Sequence, residues 1–285
     1  MSAHISPELQ KKIELMVESM PAFPRSVHKI LDLTSDVNCA PKDVVEAIEH
    51  DPVMMGKILK LVNSAFYSMP RKVTSIKHAV IYMGMNTVKN MALSIATVGM
   101  LPKYNAARFD MSAFLLHSLV TGFVARKISE HIDRQEFDSI DFFVAGLLHD
   151  FGKVVLALSV PDLFAQALEM TKEGISLQQA EITMIGVDHS QEGAALGEKW
   201  NFPAPLVQAI AEHHQPELVS NILRDYVFAA NQICKMKSIG YAGHDIVEPM
   251  SDLLMANLDG RLDTLLEKVG NLEPLIDEAK VFASL

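Results

Sequence analysis

Prolines and short polar residues stand repeatedly at the head of apolar stripes with helical spacing, and this punctuation points to a helical chain. Pro7-Glu8 opens a segment with Leu9, Ile13, Met16 and Val17 on one face, closed by Pro21 and Pro24. Val27, Ile30, Leu31 and Leu33 continue at the same period. Pro41 reads as a first-turn proline ahead of Val44, Val45 and Ile48. Asp51-Pro52 reads as an N-cap followed by a proline at the first helical position, with Met54, Met55, Ile58, Leu59 and Val62 as the buried face. Ser75 and Asn86 are expected to cap two more helices on either side of Gly84. Further helices are predicted over 112–132, 139–149, 162–172, 176–185, 190–200, 204–213 and 221–237. Phe137-Asp138 and Gly152-Lys153 read as connections. No alternating strand pattern, hairpin turn, internal repeat or low-complexity linker interrupts the series. Ala, Leu, Val, Ile and Met dominate the apolar residues, which favours helix over sheet. The expectation is an all-α fold.

A chain of 285 residues has room for one large domain or two smaller ones. Composition divides it into residues 1–108, 109–240 and 241–285: an N-terminal helical half, a histidine-bearing core and a C-terminal helical appendage. The appendage is marked by nine acidic and three basic residues between Asp245 and Leu285. The first twenty residues carry Glu8, Lys11, Lys12, Glu14 and Glu18, unlike a signal peptide. No run reaches the ~18 uncharged apolar residues of a membrane span, and residues 90–102 come closest. Cys39 and Cys234 form no disulfide framework and read as reduced core thiols. A cytoplasmic location without membrane association is expected.

The net charge of -10 argues against general nucleic-acid binding. Its distribution is uneven. From Pro52 to Phe109 there is no Asp or Glu, while Lys57, Lys60, Arg71, Lys72, Lys77, Lys89, Lys103 and Arg108 give +8, leaving -18 on the remainder. Such a window is either a basic surface against an acidic neighbour in the same molecule or a docking face for an anionic small molecule or an acidic signalling partner.

The eleven histidines carry the chemistry. His149-Asp150 ends an apolar helix, followed by Phe151-Gly152-Lys153. Neighbouring helical residues diverge by ~100°, yet a carboxylate can bridge sideways to a metal held by the adjacent imidazole. Gly152 would permit a tight exit, and Lys153 could hold a phosphate as a point charge. His117 lies mid-helix, His189 begins a helix, His213-His214 closes one, and Asn231 lies in a last helix. Such ligands converging from several helices suit iron, manganese or zinc. Each residue has a plainer reading as well. His117 could be a hydrogen-bonded core histidine, His213-His214 a helix terminus, and Asp188 and Ser190 capping chemistry around His189. His4, His28, His50, His78, His131 and His244 read as surface or structural.

The order His117, His149-Asp150, His189, His213-His214 and Asn231 resembles the HD superfamily of metal-dependent phosphohydrolases, and in particular its HDOD branch, the HD-related output domain. Met20-Pro21-Ala22-Phe23-Pro24 is similar to the opening motif of that branch. Asp51-Pro52, Asn63-Ser64-Ala65-Phe66-Tyr67, the stretch Val73 to Val80 and Met83-Gly84 are similar to its central signature. The resemblance covers roughly residues 20–220. It implies a multi-helix HD-domain-like bundle with an N-terminal helical subdomain and a role in bacterial signal transduction, in a branch whose members usually lack demonstrated catalysis. It also implies a metal set of His117, His149, Asp150, His189, His213, His214 and Asn231, for a divalent transition metal such as Fe, Mn, Zn or Ni and no other cofactor. Asp150 and Lys153 would be the catalytic residues of an active relative. Where cyclic-dinucleotide phosphodiesterases place an aspartate, this chain has Asn231, which supplies no charge to offset a dication. A non-catalytic signalling module is therefore expected first, a phosphohydrolase of nucleotides or cyclic dinucleotides second, and a structural or sensory metal site third. In the first case Phe66, Tyr67, Arg71 and Lys72 are candidate contact residues.

Overall fold

A computed structural model describes residues 5–35, 39–64, 67, 69–131, 137–215 and 221–284. Phe66 and His4 lie outside these residues. The described chain is helical, with no strand among the described residues. In order it runs α1 (Pro7–Ser19), α2 (Arg25–Ser35), α3 (Pro41–Glu49), α4 (Pro52–Val62), α5 (Ile76–Met83), α6 (Met85–Gly99), α7 (Met111–Ser129), α8 (Ser139–Leu148) and α9 (Gly152–Ser159). It continues through α10 (Pro161–Met170), a 3₁₀ turn at Thr171–Glu173, α11 (Leu177–Met184), α12 (His189–Lys199), α13 (Ala204–Glu212) and α14 (Ile222–Met236). The last helices are α15 (Asp252–Asn257), α16 (Leu262–Val269) and α17 (Glu273–Ala283).

Local chemistry explains most boundaries. Asp51 caps α4 by accepting from the Met54 N–H at 2.9 Å, and Ser75 caps α5 through the His78 N–H at 3.2 Å. Asn86 is not a cap. Helix α6 begins two residues earlier than an Asn86 cap would place it, and Gly84 takes the N-cap position with φ +82°, a conformation that glycine adopts without a Cβ penalty. Gly152-Lys153 is not a connection either, because both residues form the first turn of α9. The break between α8 and α9 is only His149, Asp150 and Phe151.

The chain separates into two compact units, and both are discontinuous in sequence. One contains residues 1–20 and 102–270, the other residues 21–101 and 271–285. This differs from the three consecutive segments expected. The C-terminal residues are not one appendage. Leu254, Leu258 and Leu265 are buried within the first unit, whereas Leu275, Ala279 and Phe282 of α17 are buried within the second. There the Ser64 hydroxyl donates to Glu278 at 2.6 Å.

In the first unit α7 packs on α8 and α14, while α12 packs on α9 and α13. Two glycines set the closest of these approaches. A Cβ on Gly122 would stand 2.5 Å from the Phe143 carbonyl oxygen, and one on Gly146 would stand 2.6 Å from the Gly122 Cα. The missing side chains let α7 and α8 meet backbone to backbone. The run Ser139–Ser159 is long and apolar enough to cross a membrane by composition, and 94% of its most apolar stretch is buried inside the protein. It exceeds residues 90–102, the stretch singled out by reading the sequence. Cys234 is fully buried, and that burial pushes its thiol up to about 12, but Cys39 is only half-buried and is no core thiol.

Candidate metal centre

Helices α7, α8, α9, α12, α13 and α14 of the first unit bring the predicted residues together. His149, Asp150 and His189 are fully buried, His213 and Lys153 are 1% exposed, and His117 and Asn231 are 2% exposed. Asp150 is the hub. Its Oδ2 lies 3.2 Å from His149 Nε2, and its Oδ1 lies 3.2 Å from His189 Nε2 and 3.4 Å from His213 Nε2. His214 Nε2 is 2.8 Å from His189 Nε2.

The outer nitrogen of each of these three rings is already engaged. His149 Nδ1 is 2.7 Å from the Gly146 carbonyl and His213 Nδ1 is 2.7 Å from the Ile210 carbonyl, each one helical turn back. His189 Nδ1 is 2.5 Å from the Glu181 carboxylate. Carbonyls and carboxylates accept, so each Nδ1 donates, and a neutral ring then points the Nε2 lone pair inward at Asp150. Three lone pairs facing one carboxylate repel unless a cation or protons lie between them. His149 Nε2, His213 Nε2 and Asp150 Oδ1 are buried and make no hydrogen bond among the described residues. Outward Nδ1 donation with inward Nε2 is the arrangement that orients metal-binding histidines. The donor atoms of Asp150, His189, His213 and His214 lie within 4.8 Å of one another, as do those of His117, His149 and Asp150. The residues present therefore fit a transition metal, whose chemistry when bound would be to lower the pKa of a water and polarise a phosphoryl oxygen.

The electrostatics keep His117, His213 and His214 neutral and set His189 apart. Burial pushes His213 down to about 4 and His214 well below the usual imidazole range, keeping both neutral and able to act as ligands. Burial pushes His117 down to about 3. For His189 burial is outweighed by the Glu181 carboxylate, which raises the ring to about 9. Burial would raise Asp150, but His149 and Lys153 hold its carboxyl well below the ordinary range.

Several predicted residues have other partners. Lys153 donates to Asp150 Oδ2 at 2.6 Å and to the Ala242 carbonyl at 2.8 Å, so its ammonium is engaged inside the protein. His117 and Asn231 lie 3.1 Å apart, Nε2 to side-chain amide. Asp188 does cap α12, reciprocally with Gln191, and so delivers His189 at the first helical position. Sequence reasoning missed Glu181, because a lone glutamate in α11 gives no local sign that it will meet His189. It also read His244 only as structural or surface. That ring is buried, 3.2 Å from Lys235 Nζ, and Glu248 Oε1 lies 3.6 Å from the same ammonium. Gly240, at φ +63°, lets this stretch lie against α7, where the Tyr241 N–H donates to the Ala113 carbonyl at 3.0 Å.

Comparison with known proteins agrees with this architecture. The HDOD domain matches residues 20–216. The chain belongs to the HDOD family. An uncharacterized protein of Treponema pallidum (strain Nichols) is 26% identical over 227 residues, which is 78% of this HDOD chain and 44% of that protein. The HDOD chain thus spans less than half the length of that relative. Among solved structures, an HDOD domain protein of unknown function from Geobacter sulfurreducens aligns with TM-score 0.76 and 24% identity, over 96% of this chain and 99% of its own. A protein of Shewanella amazonensis provisionally called a phosphohydrolase aligns with TM-score 0.75 and 22% identity, over 95% and 98%. At these identities the likeness establishes the fold.

Proposed function

We propose that this HDOD protein is a bacterial signal-transduction module that acts by binding a partner, with its HD site retained as a metal-competent structural or sensory centre. The observation that carries this reading is closure of the site: Asp150 and the histidines that face it are buried, and Lys153 is turned inward onto protein acceptors. A phosphoester must reach a metal-bound water, and here the Lys153 ammonium is satisfied by Asp150 and the Ala242 carbonyl. The basic window supplies the partner face. Arg71, Lys72 and Lys77 are exposed, and among the described residues none of them has a carboxylate within 4 Å. An acidic surface of a signalling protein, or an anionic small molecule, complements that face.

The second reading is a metal-dependent phosphohydrolase of nucleotides or cyclic dinucleotides. It is favoured by the retained His149-Asp150 and Lys153 and by the three Nε2 atoms that face Asp150. Complementation separates the two in a host lacking its own copy. The binding reading predicts that the double variant Arg71→Glu, Lys72→Glu, folded by circular dichroism, fails to restore the wild-type phenotype. Restoration by the charge-reversal variant, with failure of Asp150→Asn, would favour the enzyme.

A further inference from the structure

The two donor groups that share Asp150 are not equivalent. In the group of Asp150, His189, His213 and His214, the Nδ1 atoms of His189 and His213 donate outward, so His213 Nε2 faces inward, and His189 and His214 meet Nε2 to Nε2 at 2.8 Å across a single proton that a metal can displace, as it cannot displace an amide proton. The group of His117, His149 and Asp150 is already closed. His117 Nδ1 is 3.2 Å from the Ile239 carbonyl, which can only accept. His117 Nε2 is 3.1 Å from the Asn231 side-chain amide and 3.5 Å from the Thr121 hydroxyl. In a neutral ring the Nε2 lone pair is taken by the amide N–H, since the amide oxygen and nitrogen exchange by a flip. In a doubly protonated ring Nε2 has no lone pair. Either way His117 offers no ligand atom.

The shared carboxylate is restricted as well. Asp150 Oδ2, the oxygen nearer His149, holds Lys153 at 2.6 Å. A second ion on this side would be left with His149 alone as a free donor. It would also lie beside a buried ammonium, and Asn231 contributes no charge against it.

We propose that this chain holds one metal ion, on Asp150, His189, His213 and His214, and that Asn231 and Lys153 close the neighbouring position, with His117 and Asn231 serving as a hydrogen-bonded prop. This rests on the reading of the centre as metal-competent and specifies its stoichiometry and half.

The test is anaerobic reconstitution of the full chain with Fe(II) or Zn(II) in separate samples, followed by desalting and elemental analysis. Far-UV circular dichroism and the metal-dependent shift in Tm monitor folding. One equivalent is expected in the wild type and in His117→Ala. His213→Ala is expected to lose at least ~10-fold in occupancy and to lose the Tm shift. The double variant Lys153→Met, Asn231→Asp is expected to take up a second equivalent. Two equivalents in the wild type, loss of metal in His117→Ala, or a double variant that stays folded with one equivalent would each overturn the proposal. No metal in any sample would overturn it too, while leaving the partner-binding module standing.

Discussion

Asp150 faces imidazoles whose outer protons are already committed, and its environment depends on what neighbouring residues lack as much as on what they carry. Gly152 is the clearest case. Its expected role was a tight exit from the helix. Instead it sits in the first turn of α9, where a Cβ would stand 2.6 Å from the Gly193 amide nitrogen and against the backbone of His189. The missing side chain brings α9 against α12 at the residue that presents an imidazole to Asp150. Gly152→Ala forces backbone against backbone, which a rotamer change cannot relieve. It is expected to destabilise by about 2–3 kcal/mol in urea unfolding and to weaken metal retention with it. At this scale much of the centre was legible. His149-Asp150, His189 and His213-His214 stand at helix ends that the sequence marks, and they converge as expected. Glu181, Lys235 and His244 were not recognised for their roles, because those come from neighbours eight to nine residues away or on another element. The reading of His117 and Asn231 as ligands came from their place on helices and from family order, and their mutual contact exists only in three dimensions.

Among the elements, α12 couples the centre to acidic chemistry. Asp188 caps it and His189 begins it, and Glu192 follows one turn later. Burial pushes Glu192 up to about 7, and the charges of Asp188 and of Glu14 on α1 add to the effect. The consequence for stability has a definite sign. Below the ordinary value of 4.5 Glu192 is protonated in both folded and unfolded chains and contributes nothing. Between 4.5 and about 7 the unfolded chain ionises while the folded chain keeps its proton, so this residue lowers stability as pH rises, and above about 7 the loss is complete. Glu192→Gln should remove that slope and gain about 1 kcal/mol at pH 8, with little change at pH 4, in paired denaturation curves. The amphipathic helices were legible from period and caps. Helix α9 was not, because Gly152 imitates a breaker and the three-residue turn before it is too short to show in an apolar pattern. Gly84 misled for the complementary reason, since a cap without a side chain leaves no signature beside Asn86.

At the level of the whole molecule, the family and the all-helical architecture could be read from the sequence, but the grouping of its segments could not. Both units are assembled from distant stretches, and α17 joins residues 21–101 through buried Leu275, Ala279 and Phe282. Which surface such a helix covers is decided by packing, and composition registers only that it is acidic. The His-Asp centre is buried in the first unit, and the second unit carries exposed basic residues, Arg71, Lys72 and Lys77, that have no carboxylate within 4 Å among the described residues. Metal binding at the centre and phosphoester turnover are therefore separable properties. The most direct measurement is the initial rate of hydrolysis of a cyclic dinucleotide by the anaerobically metal-loaded chain, beside Asp150→Asn prepared in the same way. The account predicts equal rates at the level of buffer alone. Metal-dependent hydrolysis by the wild type that disappears in Asp150→Asn would contradict it.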